Sequence, residues 1–453
     1  MDSHLKKLDY VISAVGMTGV LAPKHDLHWF DQYKKTTVGL TNDLKNRIRE
    51  SCNHTDPVVS ILYNAYTEKN HVEGFQRLNN IGSDAVYADS GGLQMVTAGK
   101  TITTEIKDQI YKTQAYADYA MCFDVIPLIS TSTKRTRNER SNVGNKIFMD
   151  EKHPASAIAT GLNVKAQSSY FRSIGAKTKV IIIVQGNNYN DMVEFYKNIE
   201  SVLEPEDYEN IGGMAIADTC MGNGELESIE MLRAAKIISG FCHENVKKHL
   251  HVLGVGSISR MKPILYLLKS KYLDAFERVS YDSSSHTSTF QYGLLKLNGT
   301  CKSIGTYRTP AVDTHFRNVY NLFENTFSQY LTQDEFLDNV FHHDKDWKFS
   351  TIKDRALEIN DPRLSIPMIL VNVAHTYFQI HNFVSNLDIV IQDEYHVFKT
   401  DKVKPKDKAI NFLLNVKNEN DMSDWFANYR NVVDSKKIKR NSDFKKIEEF
   451  HNE

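Results

Sequence analysis

Short β-rich runs alternate with helical stretches through the first two-thirds of the chain, and this alternation limits the fold more than any other feature. The runs predicted as strands are Tyr10–Val15, Val58–Asn64, Ala85–Asp89, Tyr119–Val125, Val180–Gly186, Gly212–Asp218, His251–Ser257 and Ala275–Asp282. Several are continuously apolar, as strands buried on both faces must be. Between them, Thr103–Ala117, Asn190–Leu203, Glu225–Gly240 and Met261–Lys271 read as helices. Strand and helix in alternation predict a parallel α/β architecture. Eight such units in about 290 residues match the count and size of a (β/α)8 TIM barrel. A doubly wound open sheet is the structural alternative. No glycine-rich dinucleotide fingerprint opens the first unit, which argues against a Rossmann enzyme.

After about residue 300 the pattern becomes long helical segments, among them Thr314–Leu331, Asp334–Phe341 and Ile366–Leu387. We therefore divide the chain into a barrel over residues 1–300 and a mainly helical C-terminal extension over 301–453. The extension carries a basic tail with Lys402, Lys404, Lys406, Lys408, Lys436, Lys437, Lys439, Arg440, Lys445 and Lys446. Such a run suits either a solvated helical surface or phosphate contact. Lys134–Ser169 reads as a long polar connection between strands four and five, with Lys134, Arg135, Arg137, Arg140 and Lys146. Long barrel loops are often functional, so nucleic-acid contact is expected there first.

A formal net charge of −1 counts against a tight static polyanion binder but leaves room for a local basic face. No apolar run approaches the roughly 18 residues of a membrane span. The first residues, MDSHLKKLDY, lack the apolar core of a signal peptide, so a cytoplasmic location is expected. Five scattered cysteines, Cys52, Cys122, Cys220, Cys242 and Cys301, form no CxxC or CxC pair. That pattern fits reduced thiols and predicts no thiolate-rich metal site.

In a TIM barrel the chemistry lies at the C-terminal strand ends. Those ends carry Asn64, Asp89, Asp124, Gln185, Asp218, Gly254 and Asp282. Acids and amides also begin loops for conformational reasons alone. Asp124 and Gln185, however, lie inside their apolar runs, as Phe123-Asp124 and Val184-Gln185. Two glycine motifs, Asp89-Ser90-Gly91-Gly92 and Leu253-Gly254-Val255-Gly256, directly follow strands, where glycine permits close backbone approach.

Together these residues resemble the tRNA-guanine transglycosylase family, which includes DNA-acting relatives that insert 7-deazaguanines into phage or bacterial DNA. Asp89-Ser90-Gly91-Gly92 matches the family's DSGG motif, and Asn64-Ala65-Tyr66 is similar to its NTY strand end. Met121-Cys122-Phe123-Asp124 resembles the "AFD" strand, and Ile183-Val184-Gln185-Gly186 the IVQG strand. Gly213–Asp218 through Met221-Gly222 parallels the GGLAVG segment, and Leu253-Gly254-Val255-Gly256 parallels MGVG. The motifs are collinear across about residues 10–290.

The resemblance implies a ping-pong base exchange in a polynucleotide through a covalent enzyme–nucleotide intermediate. Two carboxylates are needed, one nucleophile and one proton shuttle. By motif, Asp89 is the acid/base. Asp124 takes the N1 and exocyclic-amine edge of guanine, and Gln185 takes the O6 or N7 side with backbone near Asp218. Ser90, Gly91, Leu253 and Gly254 complete the base pocket. Two acids compete for the nucleophile. A gapless match favours Glu277 of Asp274-Ala275-Phe276-Glu277. The position at the very end of the strand, followed by three serines and His286, favours Asp282, which is the expected nucleophile with Glu277 as the alternative. Their odd separation sets them on opposite faces of a regular strand.

The chain also departs from the family. The CxCxxC zinc module is absent, and His375 stands where the family histidine falls but without thiolates, so no structural zinc and no cofactor is expected. Leu93 replaces the aromatic after DSGG, Leu253 the methionine of MGVG, and Asp218 a glycine. The missing zinc module, the different C-terminal third and the Lys134–Ser169 connection together point to DNA, with preQ0 or a similar 7-deazaguanine as the incoming base and tRNA as the alternative substrate. A base in duplex DNA must first be flipped from the stack. A catalytically inactive, nucleic-acid-binding barrel is a further alternative, although Asp89, Asp124 and Asp282 are all retained. A glycoside hydrolase using Asp89 and Asp282 is another, but few aromatic platforms stand at the strand ends.

Overall fold

Val58–Asn64 reads VVSILYN, a β-branched, half-alternating run, and it forms strand β2 over the predicted residues. In the computed structural model seven more strands join it: β1 (Leu8–Ser13), β3 (Val86–Asp89), β4 (Tyr119–Met121), β5 (Lys179–Gly186), β6 (Ile211–Asp218), β7 (His249–Val252) and β8 (Arg278–Ser283). The structure describes residues 8–13, 58–66, 85–92, 95, 102–127, 153–186, 188–218, 224–255, 258–283, 294–297, 300–303, 310–322, 324, 328, 332–335, 337 and 405–433. The strands are all parallel and neighbour one another in chain order. The sheet curls until β8 pairs with β1, setting Asp9 opposite Ser280 and Val11 opposite Asp282.

Helices α1 (Thr104–Gln114), α2 (His153–Ser173), α3 (Tyr189–Glu200) and α4 (Glu225–Ser239) follow β3, β4, β5 and β6 in turn. The short α5 (Glu244–Lys247) precedes β7, and α6 (Ile258–Lys269) follows it. Local chemistry starts the helices as expected. Thr103 caps α1 through its hydroxyl, and the Asn188 side chain accepts from the amides of Asn190 and Asp191 at the start of α3. The core lies between sheet and helices, where Val180–Val184 of β5 are buried throughout. Beyond β8 come a hairpin of β9 (Leu294–Leu297) and β10 (Thr300–Ser303), then helix α7 (Pro310–Leu322).

One expectation is corrected. Lys134–Ser169 is not one long connection, because residues from His153 onward belong to the 21-residue α2. Its buried side mixes Ala157, Val164 and Phe171 with Ser156, Thr160, Asn163, Gln167 and Ser168, which dilutes the apolar pattern of the helix in the sequence. The basic residues Lys134–Lys146 lie outside the described residues. The lysine-rich stretch after Lys402 contains α8 (Pro405–Leu413), which pairs with α9 (Glu419–Val433). Trp425 of α9 is fully buried, and its indole N–H donates to the Ala409 carbonyl at 2.9 Å. This pair docks on the barrel's outer layer. Arg233 of α4 is bonded to Glu419 and lies 3.8 Å over the Tyr189 ring and 4.7 Å from that of Phe426. The predicted helix Ile366–Leu387, His375 and the lysines from Lys436 onward lie outside the described residues. Among the described residues, no helix is long and apolar enough to cross a membrane.

Candidate active site

The C-terminal ends of β2 and β3 meet in register, Asn64 beside Asp89, and the Asn64 amide donates to Asp89 Oδ2 at 3.3 Å. The chain then turns through Ser90 into Gly91, whose φ of +77° suits glycine. A side chain at Gly91 would also strike Tyr66 and Asn64, a Cβ falling 2.6 Å from Tyr66 Cβ and 2.7 Å from Asn64 Oδ1. The DSGG glycine is therefore required by both conformation and space. Backbone amides of Gly91 and Ser90 hydrogen-bond the Asp89 carboxyl.

Asp124 arrives differently. β4 ends at Met121, short of the predicted Val125, and Cys122–Pro127 continue outside the ladder. Side chains replace the missing strand partners. The Asn163 amide donates to the Phe123 carbonyl at 2.8 Å, and the Val125 amide donates to Thr160 Oγ1 at 2.9 Å. The Gln114 amide donates to the carbonyls of Met121 at 2.8 Å and Ala88 at 3.1 Å, and itself accepts from Gln167 at 2.8 Å. Helices α1 and α2 thus hold the backbone that carries both acids. Gln185, at the end of β5, donates from Nε2 to Asp124 Oδ2 at 2.7 Å.

Asp282 lies near the end of β8 and is almost fully buried. Its Oδ1 accepts from the Gly254 amide at 2.9 Å, while its backbone carbonyl accepts from the Val255 amide at 2.7 Å. Gly254 has φ +67°. This left-handed turn ends β7 at Val252, five residues before the predicted Ser257, and directs the amide at the carboxylate. His251 Nε2 lies 3.3 Å from the same Oδ1.

The charges interact. Loss of water, then the negative charges of Asp124 and Asp282, push Asp89 up to about 7 against the pull of its two backbone amides. Burial pushes Asp124 up to about 6, opposed by the hydrogen bond from Gln185. Such a site holds a proton on one carboxyl near neutrality while a neighbouring carboxylate stays an acceptor, the division acid–base chemistry needs.

The structure therefore brings together Asp89, Ser90, Gly91, Asp124, Gln185, Gly254 and Asp282. Leu253 is partly buried beside them against the core. Asp218 closes β6 opposite Gly186, and its side chain lies outside the described residues. Glu277 is not part of the site. It is exposed, precedes β8 and donates its backbone amide to Lys247, so it lies at the opposite end of the strand from Asp282. A regular strand of that length separates the two by about 16 Å. Leu93, the five basic positions Lys134, Arg135, Arg137, Arg140 and Lys146, and His286 lie outside the described residues.

Sequence reading missed Asn64 as a partner of Asp89, and it missed His251. It also missed a polar layer beneath the acids. Ser280 Oγ bridges His249 Nε2 at 2.6 Å and His251 Nδ1 at 2.7 Å. Tyr87 lies across the interior, 3.4 Å from His249 Nε2, and donates to Asp9 Oδ2 at 3.0 Å. Asp9 also accepts from Ser60 at 2.8 Å and pairs with Arg278. The alternation Ser280, Asp282 on β8 and His249, His251 on β7 was the available signal, since polar residues two apart share a strand face. Among the described residues, no group of three or more His, Cys, Asp or Glu is arranged to hold a metal ion. No family model matches the chain, and no curated protein matches it.

Proposed function

We propose that the chain is a DNA guanine transglycosylase on a (β/α)8 barrel, exchanging guanine for a 7-deazaguanine such as preQ0. One observation carries the reading: Asp89, Asp124 and Asp282, with Gln185 and Gly254, converge from five segments whose order matches the collinear motifs. In this reading Asp282 attacks C1′ and the C1′–N9 bond breaks. Asp89, protonated near neutrality, supplies the proton to the departing guanine. The ionised Asp89 then takes a proton from the incoming base, whose N9 attacks C1′ and displaces Asp282. Asp124 and Gln185 form a buried polar array that favours a guanine-like edge, because unpaired polar groups penalise other bases.

DNA is preferred over tRNA because the sequence lacks the zinc module and diverges over its C-terminal third. The test is incorporation of labelled guanine or preQ0 into duplex DNA, single-stranded DNA and tRNA supplied separately. Label in DNA that is lost in Asp89→Ala and Asp282→Asn supports the proposal. Label in tRNA alone moves the activity to that substrate. Absence of label in all three, together with no rise in melting temperature on adding preQ0, overturns base exchange.

A further inference from the structure

The polar layer beneath Asp282 fixes the protons of two histidines. Asp282 Oδ1 accepts from the Gly254 amide, and as an ionised carboxylate has only acceptors to offer, so His251 Nε2, 3.3 Å away, is the donor in their contact. In a neutral His251 the Nδ1 is then an acceptor, and it takes the Ser280 hydroxyl proton at 2.7 Å. With its proton committed there, Ser280 Oγ accepts from His249 Nε2–H at 2.6 Å. His249 Nδ1 is left as a lone pair, and it is buried with no hydrogen-bond partner among the described residues. Reversing the chain would place an N–H on that nitrogen, and buried orphan N–H groups are rarer than orphan acceptors. With both rings neutral, the direction of donation that leaves no buried N–H orphaned runs from His249 to Ser280 to His251 to Asp282.

We propose that His251, held as its Nε2–H tautomer by Ser280 and His249, is a positioning residue that pins Oδ1 of Asp282 and leaves Oδ2 as the attacking oxygen. This use of Oδ2 rests on the base-exchange reading, whereas the tautomer does not. The groups around the relay are Asp282 on β8, Asp89 and Tyr87 on β3, Asp124 after β4, Tyr119 on β4, Asp9 on β1 and Arg278 on β8. Burial, with His251 and Arg278 nearby, holds His249 well below the usual imidazole range, in keeping with a neutral ring.

Long-range 1H–15N NMR of the ring nitrogens in the full chain tests the tautomer without any substrate. The expected spectrum at neutral pH has a protonated Nε2 and an unprotonated Nδ1 for His251, with the pattern lost in Ser280→Ala. A His251 with Nδ1 protonated overturns the proposal. In guanine exchange, His251→Phe is expected to lower kcat about ten- to a hundredfold, the range of one hydrogen bond to a charged group. His251→Gln, which returns an N–H to the Nε2 position, should lose several-fold less at equal folded stability. Equal losses in the two variants would also overturn the positioning role. The expected tautomer in a wild-type chain that exchanges no base would retire the transglycosylase reading and leave the His251–Asp282 assignment standing.

Discussion

Asn163, in the middle of α2, donates a 2.8 Å hydrogen bond to the carbonyl of Phe123, the residue before Asp124. A helix on the outer layer thereby fixes the direction of an acid in the site. The segment it holds has left the β ladder, so no neighbouring strand can substitute.

Replacing Asn163 with Leu keeps the volume but leaves the Phe123 carbonyl and Lys107 Nζ, which bonds Asn163 Oδ1 at 2.8 Å, without that partner. The expected cost is about 1–3 kcal/mol in urea denaturation. A rise in KM for the incoming base larger than the fall in kcat would show that Asp124 is being positioned. Unchanged KM would make the bond purely structural.

If Asp89 is the acid of base exchange, activity should fall as pH rises through about 7, because Asp89 then loses the proton that the leaving base would take. A pH profile of kcat/KM reads this directly. Removing the nearby charge in Asp124→Asn stabilises the ionised form of Asp89, so its midpoint should move to lower pH in a carboxyl 13C titration.

The same shift makes a stability prediction. Asp89 binds its proton more tightly folded than unfolded, so between about pH 4 and 7 the folded state holds more protons and stability falls as pH rises. Asp89→Asn removes that penalty. Its melting temperature should exceed that of the wild type at pH 8, with the gap closing toward pH 4. A gap independent of pH would mean the carboxyl is ordinary in the folded chain.

At Gly254→Ala no heavy atom of the described residues beyond the chain neighbours lies within 4 Å of the added Cβ, so its effect reports chiefly on backbone strain at φ +67°. The expected loss is about 1–2 kcal/mol of stability. If the turn relaxes, the amide no longer aims at Asp282, and exchange falls further than stability alone explains.

Arg233→Ala should loosen the docked α8–α9 pair by removing the Glu419 contacts and the stacking on Tyr189 and Phe426, at about 1–3 kcal/mol. Limited proteolysis would show it as faster cleavage around residues 405–433. Resistance equal to the wild type would mean that Trp425 packing alone holds the pair.

Most of the parallel sheet was legible because its strands are marked by local composition. VVSILYN and KVIIIVQG need no partner to read as strands, and Gly91 and Gly254 mark turns by their residue type alone. The acids Asp89, Asp124 and Asp282 and the amide Gln185 were legible because each is a polar residue at or near the end of a strand-like run. Helix α2 was hidden because Ala157, Val164 and Phe171 on its buried side are interspersed with amides and hydroxyls, whose burial is favourable only once partners on α1 and after β4 exist. Tertiary structure likewise set Asp282 and Glu277 apart, since the sequence holds both acids near one strand and only the start of β8 at Arg278 puts Glu277 at the far end. The inward layer of Ser280, His249 and His251 follows the same rule. Strand periodicity can place such residues on one face, but their hydrogen bonds exist only where the curled sheet brings β7, β8, β1 and β3 around a common interior.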